Sequence, residues 1–317
     1  MKKTILAMHT MYVTEEIEKQ RIDNLLIKKF KKIPKSMIYR IIRTGKVKVN
    51  EKKILPKYKL KIGDQVLIPS MEINIKKNKN INLLLNTQKT NSILKKILYE
   101  DNYLLIINKP SGIAVHGGSG INFGIIEIIR KLRPDHHFLE LVHRLDRDTS
   151  GILILAKKRS ALRHLHEQLR EKKIKKQYIT LVHGKWPKNK NNISAPLLKT
   201  KLFNNKNIVQ ISEQGKMSET HFLIKKKYAE YTLLLVTPIT GRTHQIRVHT
   251  AYTGHPIVFD TRYGKKDLDI KIKNKNLHNR LLLHSYKMDF IHPYYKYNIT
   301  ILAPLEKNFK KYLDSLL

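Results

Sequence analysis

Nine consecutive residues near the middle of the chain, His143-Arg144-Leu145-Asp146-Arg147-Asp148-Thr149-Ser150-Gly151, hold its densest grouping of chemically capable side chains. Two arginines flank Asp146, and cations close to a carboxylate favour its anion. An ionised carboxylate suits the work of a nucleophile or a base and is poorly suited to that of a general acid. The same residue types also describe an Asp in a purely structural ion pair, and composition alone leaves both readings standing. Gly151 opens the apolar run Gly151–Ala156. Polar residues placed just before such a run mark a loop on the rim of a sheet, where sites are built. The same loop predicts that Asp148, Thr149 and Ser150 stabilise the local turn through side-chain-to-backbone hydrogen bonds. The pair Asp146/Asp148 raises two-carboxylate hydrolysis of a glycoside, a reading that ranks below the single carboxylate.

His143, His244 and His249 invite a metal. The chain has no cysteine and no acid at metal-ligand spacing to these histidines, so they are read as hydrogen-bonded structural residues and no metal is expected. The lack of cysteine also removes disulfides, thiolate nucleophiles and iron–sulfur clusters, in keeping with a reducing compartment. Lys+Arg minus Asp+Glu is 63 − 25 = +38 over 317 residues. A chain this basic points to a polyanion, nucleic acid first. Abundant Lys, Ile and Asn would also follow from an A+T-rich genome, so charge does not carry the argument alone. A hydrophobic fraction of 41% suits a folded protein. The start Met1–Met8 has an apolar run too short for a signal peptide. No stretch reaches the roughly 18 apolar residues of a membrane span. The expectation is a cytoplasmic protein with no membrane partner.

Some framework must hold the His143–Gly151 segment in place, and the chain divides into two modules that could supply it. The polar tracts Lys76–Asn82 and Asn86–Ser92 mark residues 71–92 as a linker. Ahead of it, Ile22, Leu25, Leu26 and Phe30 recur at helical spacing. Ser36 is placed to cap a second helix that ends near Gly45. On that helix Ile38, Ile41 and Ile42 share one face while Arg40 and Arg43 point from the other, and Lys46–Asn50 alternates as a half-buried strand does. Beyond the linker, Tyr103–Ile107, Gly151–Ala156, Tyr178–Val182, Tyr231–Val236 and Leu281–His284 read as strands, and Ser160–Lys172 as an amphipathic helix. Strands outnumber helices without alternating with them, which predicts an α+β domain around a mainly antiparallel sheet over residues 93–317.

Two resemblances add to this reading. The pattern Arg21-Ile22-Asp23-xx-Leu26, Ser36-xxx-Arg40, Ile42-xx-Gly45-Lys46-Val47-xx-Asn50 and Gly63-Asp64 resembles an S4-type RNA-binding domain over about residues 18–70. It implies that Lys35, Arg40, Arg43, Lys46 and Lys48 lie near RNA phosphates. The segment His143-Arg144-Leu145-Asp146-xx-Thr149-Ser150-Gly151 resembles the signature of the pseudouridine synthases that modify large-subunit ribosomal and transfer RNA. Asn108-Lys109-Pro110-Ser111-Gly112 with His116 precedes it. Gly117-Gly118-Ser119-Gly120, Leu162-xx-Leu165-His166-Glu167-Gln168-Leu169-Arg170, Lys176-xx-Tyr178, Thr240–His249 and Leu282-Leu283-His284 complete the family's order. Nearly the whole chain is covered, with no departure at a motif position.

The second resemblance implies an α+β catalytic domain that isomerises uridine to pseudouridine in large-subunit ribosomal RNA, free or in an assembling particle. That isomerisation involves no net redox change and calls for no metal, so no cofactor is expected, and nothing in the sequence suggests more than a monomer. The resemblance assigns Asp146 as the catalytic carboxylate, Arg247 as its partner and Tyr178 as the active-site tyrosine. Arg144, beside Asp146, is the candidate to fill the stack left by a flipped uridine. His143 lies at the same RNA-facing segment, and Leu282 or Leu283 packs either against the base or in the core. Two other readings keep the same residues: a non-catalytic RNA-binding or ribosome-assembly factor, and a synthase acting on transfer RNA. The presence of an acid among phosphate-seeking arginines favours catalysis over binding alone.

Overall fold

The computed structural model describes residues 3–6, 9–30, 33, 35–68, 70–74, 92–117, 123–136, 138–201, 207–271 and 279–316. The chain forms two compact units, Met1–Leu84 and Leu85–Leu317. Most of the expected linker and the glycines Gly118 and Gly120 lie outside the described residues.

In the first unit, β1 (Lys3–Leu6) pairs antiparallel with β6 (Met71–Asn74). A four-stranded sheet runs in the order β2 (His9–Tyr12), β5 (Gln65–Ile68), β3 (Lys48–Val49), β4 (Lys52–Lys53). The sheet therefore takes in residues before position 18. Helices α1 (Ile22–Lys29) and α2 (Lys35–Arg43) pack over it. Ile22, Leu25, Leu26, Ile38, Ile41 and Ile42 are buried with Val47, Val49, Val66 and Ile68, so the helical and strand periodicities meet in one core. Helix α2 starts at Lys35, so Ser36 falls inside it rather than capping it.

The second unit is built on one ten-stranded sheet. Its path is β12 (Asn192–Ser194), β15 (Glu219–Lys227), β16 (Tyr231–Pro238), β11 (Lys175–His183), β17 (Leu283–Ile291), β10 (Ser150–Ala156), β8 (Leu104–Lys109) and β7 (Ile97–Glu100). Strand β18 (Asn298–Leu302) adds to β17 and β9 (Glu140–Leu141) to β10, while β13 (Leu197–Lys201) and β14 (Asn207–Ile211) form a separate hairpin. Among the described strands only β10 and β17 pair parallel, over Ser150–Gly151; every other ladder is antiparallel. The α+β reading with a mainly antiparallel sheet stands.

Strands β8 and β10 are buried along their whole length, which requires cover on both faces. Leu105, Ile107, Leu153 and Leu155 pack with Ile125, Ile126 and Ile129 of α3 (Ile125–Leu132). The alternate residues Leu104, Ile106, Ile152 and Ile154 pack with Ala161 and Leu165 of α4 (Arg159–Arg170). Two further helices, α5 (Gln245–Tyr252) and α6 (Lys266–Lys271), follow β16, and α7 (Lys307–Asp314) closes the chain. Among the described residues no helix is long and apolar enough to cross a membrane.

Candidate active site

The segment after β9 and before β10 carries Asp146, and the neighbouring chain clamps it from behind. Lys109, fully buried, donates its ammonium protons to the carbonyls of Pro110, Ile113 and Arg147 at 2.8, 2.9 and 3.0 Å. Gly112 N–H donates to the same Arg147 carbonyl, and Ser111 Oγ to that of Asp148 at 2.6 Å. Burial pulls the Lys109 ammonium down to about 7. Three carbonyl acceptors need three N–H donors, which only the protonated form supplies. The Asn108–Gly112 segment thus fixes the two residues that follow Asp146.

Asp146 itself is 19% exposed and opens onto a cleft of about 470 Å³. Arg247 Nη1 donates to its Oδ2 at 3.2 Å, and His244 Nε2 lies 3.7 Å from the same oxygen. Arg247 sits on α5 and is buried; the paired Nε and Nη2 of its guanidinium donate to Asp260 at 2.7 and 2.8 Å. Asp260, a residue the sequence reading did not single out, also accepts the backbone N–H groups of Arg262 and Tyr263. The guanidinium lies 5.1 Å from the Tyr263 ring centroid. Its pKa is raised: burial opposes the charge, and the hydrogen bonds and charges of Asp260 and Asp146 more than offset it. The two-pronged fork of Arg247 therefore belongs to Asp260, and its expected partner Asp146 receives the remaining nitrogen.

His244 immediately precedes α5 with φ +54°, a left-handed conformation, and its Nδ1 is 2.6 Å from the Tyr263 hydroxyl. Burial pushes the imidazole down to about 4, with Asp146 acting in the other direction. It is neutral at pH 7 and closer to Asp146 than a remote structural residue would be. His249 fits the structural reading: it is fully buried against Ser218 Oγ at 2.9 Å. His143 lines the cleft and accepts Ile154 N–H on Nε2 at 3.2 Å.

Tyr178 lies on β11 at a register shift, where the pairing steps from Gln177–Lys287 to Tyr178–Ser285. Such a bulge re-aims a side chain, and Tyr178 lines the cleft. Burial pushes its hydroxyl up to about 12, so it is a neutral donor at pH 7. Leu283 lines the cleft as well. Leu282 does not: it packs with Phe309 and Tyr312 under the other face of the sheet, as its opposite parity requires. Ser150 also departs from the expected local turn. Its Oγ meets His284 Nδ1 at 2.7 Å and Arg280 Nη1 at 3.0 Å. Asp148 pairs with Arg147 Nε at 3.0 Å, so the carboxylate meets a neighbouring side chain instead of the turn's backbone.

Six cations line the cleft, Arg144, Arg170, Lys172, Lys176, Arg242 and Arg247, and Asp146 is the only acid among its lining residues. Arg144 is exposed, and its side chain makes no hydrogen bond or ion pair among the described residues. The structure thus brings Asp146, Arg247, Tyr178, Arg144, His143 and Leu283 together. In the other unit Arg40, Arg43, Lys46 and Lys48 are exposed along α2 and β3. Lys35 opens α2, with its side chain outside the described residues.

The fold is that of a pseudouridine synthase: it matches the solved human RNA pseudouridylate synthase domain containing 4 at a TM-score of 0.60 and 22% identity, over 74% of this chain and 97% of that one. Residues 103–252 match the RNA pseudouridylate synthase family, and residues 20–66 match the S4 domain. The chain is 57% identical to the ribosomal large subunit pseudouridine synthase C of Buchnera aphidicola subsp. Schizaphis graminum, over 100% of both chains. It is 49% identical to the protein of that name from Escherichia coli K12, over 100% of this chain and 99% of that one. This chain belongs to the RNA pseudouridylate synthase family.

Proposed function

We propose that the protein converts uridines of large-subunit ribosomal RNA to pseudouridine, with Asp146 as its catalytic carboxylate. The observation that carries the reading is the single acid held by Arg247 in a cleft lined by six cations. A polyanion is drawn to such a cleft, and an acid there works against binding unless it has chemistry to do. The full-length similarity to large-subunit synthases supports ribosomal over transfer RNA as substrate.

The reaction breaks the N1–C1′ bond of uridine, turns the base and joins C5 to C1′; the C5 proton leaves and N1 takes one up, so atoms balance. No electrons are gained or lost, so the isomerisation itself calls for no redox cofactor. Asp146 meets the ribose or the base as a nucleophile, or stabilises a cationic sugar. Arg247, fixed by Asp260, sets its orientation and supplies opposite charge. Tyr178 offers a ring to the uracil and a protonated hydroxyl to the moving proton. Arg144 is the unpaired guanidinium placed to fill the stack that an extruded nucleotide vacates. Leu283 is an apolar wall of the cleft. The module at about 18–70, with Arg40, Arg43, Lys46 and Lys48 exposed and Lys35 beside them in sequence, grips RNA phosphates, while residues 93–317 do the chemistry. The protein is read as acting as a monomer, and the substrate puts the work in the cytoplasm.

The test is Asp146→Asn. Tritium release from ribosomal RNA carrying 5-tritiated uridine is expected to vanish, with RNA affinity held within about twofold. Substantial release by the variant refutes the assigned role.

A further inference from the structure

The second unit carries an aromatic cluster that the reaction does not use. The turn from β17 to β18 reads His292-Pro293-Tyr294-Tyr295-Lys296-Tyr297. Tyr294, Tyr295 and Tyr297 are 58%, 52% and 48% exposed. Tyr294 stacks on Tyr103 with centroids 4.3 Å apart and planes 14° from parallel, and Tyr295 and Tyr297 lie within 13° of parallel at 5.9 Å. Gly, Pro, Asn, Asp and Ser dominate turns; this one needs only Pro293 for that and adds three half-exposed rings. Exposed apolar surface gathered in one place marks an interaction site.

The cluster is rigidly built. His292 is fully buried; its Nδ1 accepts the N–H groups of Tyr294 and Tyr295 at 3.2 and 2.9 Å, and its Nε2 meets Asp101 at 2.8 Å. Asp101 in turn accepts the N–H groups of Tyr103 and Leu104, each at 2.7 Å, and the Tyr99 hydroxyl at 2.9 Å. One Asp–His pair therefore holds both chain segments that supply the rings. Rings fixed in advance meet a flat partner without an ordering cost.

Charge identifies that partner. Lys158 Nζ lies over the Tyr103 ring, 4.3 Å from its centroid, and Lys296 sits within the turn. Helix α4 begins at the next residue, and its exposed Arg159, Arg163 and Arg170 fall within about 40° of one another around the helix axis at roughly 100° per residue. Arg170 also lines the cleft of Asp146. Gln168 ties α4 to Ile291, giving a hydrogen bond of 2.8 Å and accepting one of 2.9 Å. One helix thus touches the cleft at its C-terminal end and is fastened to the chain that carries the tyrosines. A shallow groove along the arginine row contains one acid, Glu167. Flat groups strung on a polyanion match both features.

We propose that Tyr294, Tyr295 and Tyr297, backed by Tyr103, form a stacking platform for unpaired bases of the substrate RNA, whose phosphates cross α4 over Arg159, Arg163 and Arg170. The substrate named here rests on the reading of the cleft given above. Stacking on aromatic rings tolerates any base, so the platform contributes grip rather than choice of uridine.

The test uses full-length protein carrying Tyr294→Ala and Tyr295→Ala, beside the Tyr→Phe pair. Affinity is measured at fixed salt for transcribed large-subunit ribosomal RNA, for an unstructured oligouridylate and for an RNA duplex of equal length, with tritium release read at saturating RNA. The alanine pair is expected to weaken binding of the ribosomal RNA and the oligouridylate on the order of tenfold or more. The duplex should be affected less, release at saturation should be unchanged, and the phenylalanine pair should keep wild-type affinity. Unchanged affinity in the alanine pair overturns the proposal, including the case where self-association or protein binding changes instead. An equal loss on duplex and oligouridylate overturns it as well, because duplex bases are not free to stack. Failure of the wild-type protein to release tritium refutes the reading of the cleft, while the affinity arm still decides on the platform.

Discussion

Arg247 gives the fork of its guanidinium to Asp260, at 2.7 and 2.8 Å, and reaches Asp146 with Nη1 alone, at 3.2 Å. The buried pair is the anchor, and the third nitrogen is what it aims. Asp260 is itself held by two backbone N–H groups, so the orientation of Asp146 depends on a residue that need not touch the substrate.

Asp260→Asn therefore tests positioning. Removing one charge of the buried pair leaves Arg247 with only its single contact to Asp146, and costs about 3 kcal/mol. Turnover is expected to fall on the order of a hundredfold, because small displacements of reacting groups are expensive. RNA affinity should stay near wild type. Urea unfolding, tritium release and a binding assay read the three quantities separately. Wild-type turnover in a folded Asp260→Asn protein would detach Asp260 from the site.

Tyr178→Phe separates ring from hydroxyl. With the hydroxyl pushed up to about 12 by burial, it titrates well above neutral pH and acts as a donor. If that proton takes part in the reaction, the rate at saturating RNA drops about a hundredfold or more with affinity retained. A variant as fast as the wild type would confine Tyr178 to packing.

How much of this was legible in the sequence differs from residue to residue. The order of motifs brought Asp146, Arg247, Tyr178 and Arg144 onto one list although they lie far apart in the chain; the strand patterns placed β8, β10 and β16 to within two residues, caught only part of β11 and β17, and left β7, β9, β12, β15 and β18 unread. Asp260 escaped because Asp260-Thr261-Arg262-Tyr263-Gly264 reads as an ordinary turn; its partner is 13 residues away on a helix whose orientation no local pattern fixes. Leu282 and Leu283 could not be separated without knowing which strand register faces the cleft, since a one-residue slip exchanges the two faces. His244 looked structural because its distance to Asp146 depends on a left-handed residue before α5. The tyrosines of the β17–β18 turn belong to no motif, and only their exposure sets them apart from core aromatics.

Gly151 is expected to admit no side chain. It has φ +108°, where L side chains are strained, and an added Cβ would come 2.2 Å from the Ser285 carbonyl oxygen across the parallel β10–β17 pairing. The neighbour is backbone within a central ladder and cannot yield cheaply. Gly151→Ala should cost more than about 3 kcal/mol, read as a lowered urea midpoint or a loss of folded protein. A variant within about 1 kcal/mol of wild type would mean that the two strands can part at this point.

Acid should weaken the fold before the carboxylates titrate. Burial pushes His249 and His284 down to about 4, against about 6.5 in an unfolded chain. A second proton would meet no acceptor among the described residues at His249 Nδ1, and at His284 Nδ1 it would force Ser150 Oγ to switch from donor to acceptor. His249 donates to Ser218, whose own proton goes to the Ala195 carbonyl, and its Nδ1 has no hydrogen-bond partner among the described residues. His284 is placed to donate Nε2–H to the Ala303 carbonyl while Nδ1 faces Ser150 Oγ, which already meets an Arg280 N–H. Between pH 6.5 and 4 the unfolded chain binds more protons than the folded one, so stability falls as pH falls, by up to about 1.4 kcal/mol per pH unit for each of these two histidines. Urea midpoints measured at pH 7.5, 6 and 5 should decline with a slope that His249→Gln makes shallower, although that variant starts less stable at pH 7.5. A flat profile down to pH 5 would show that these rings take up protons without opening the fold.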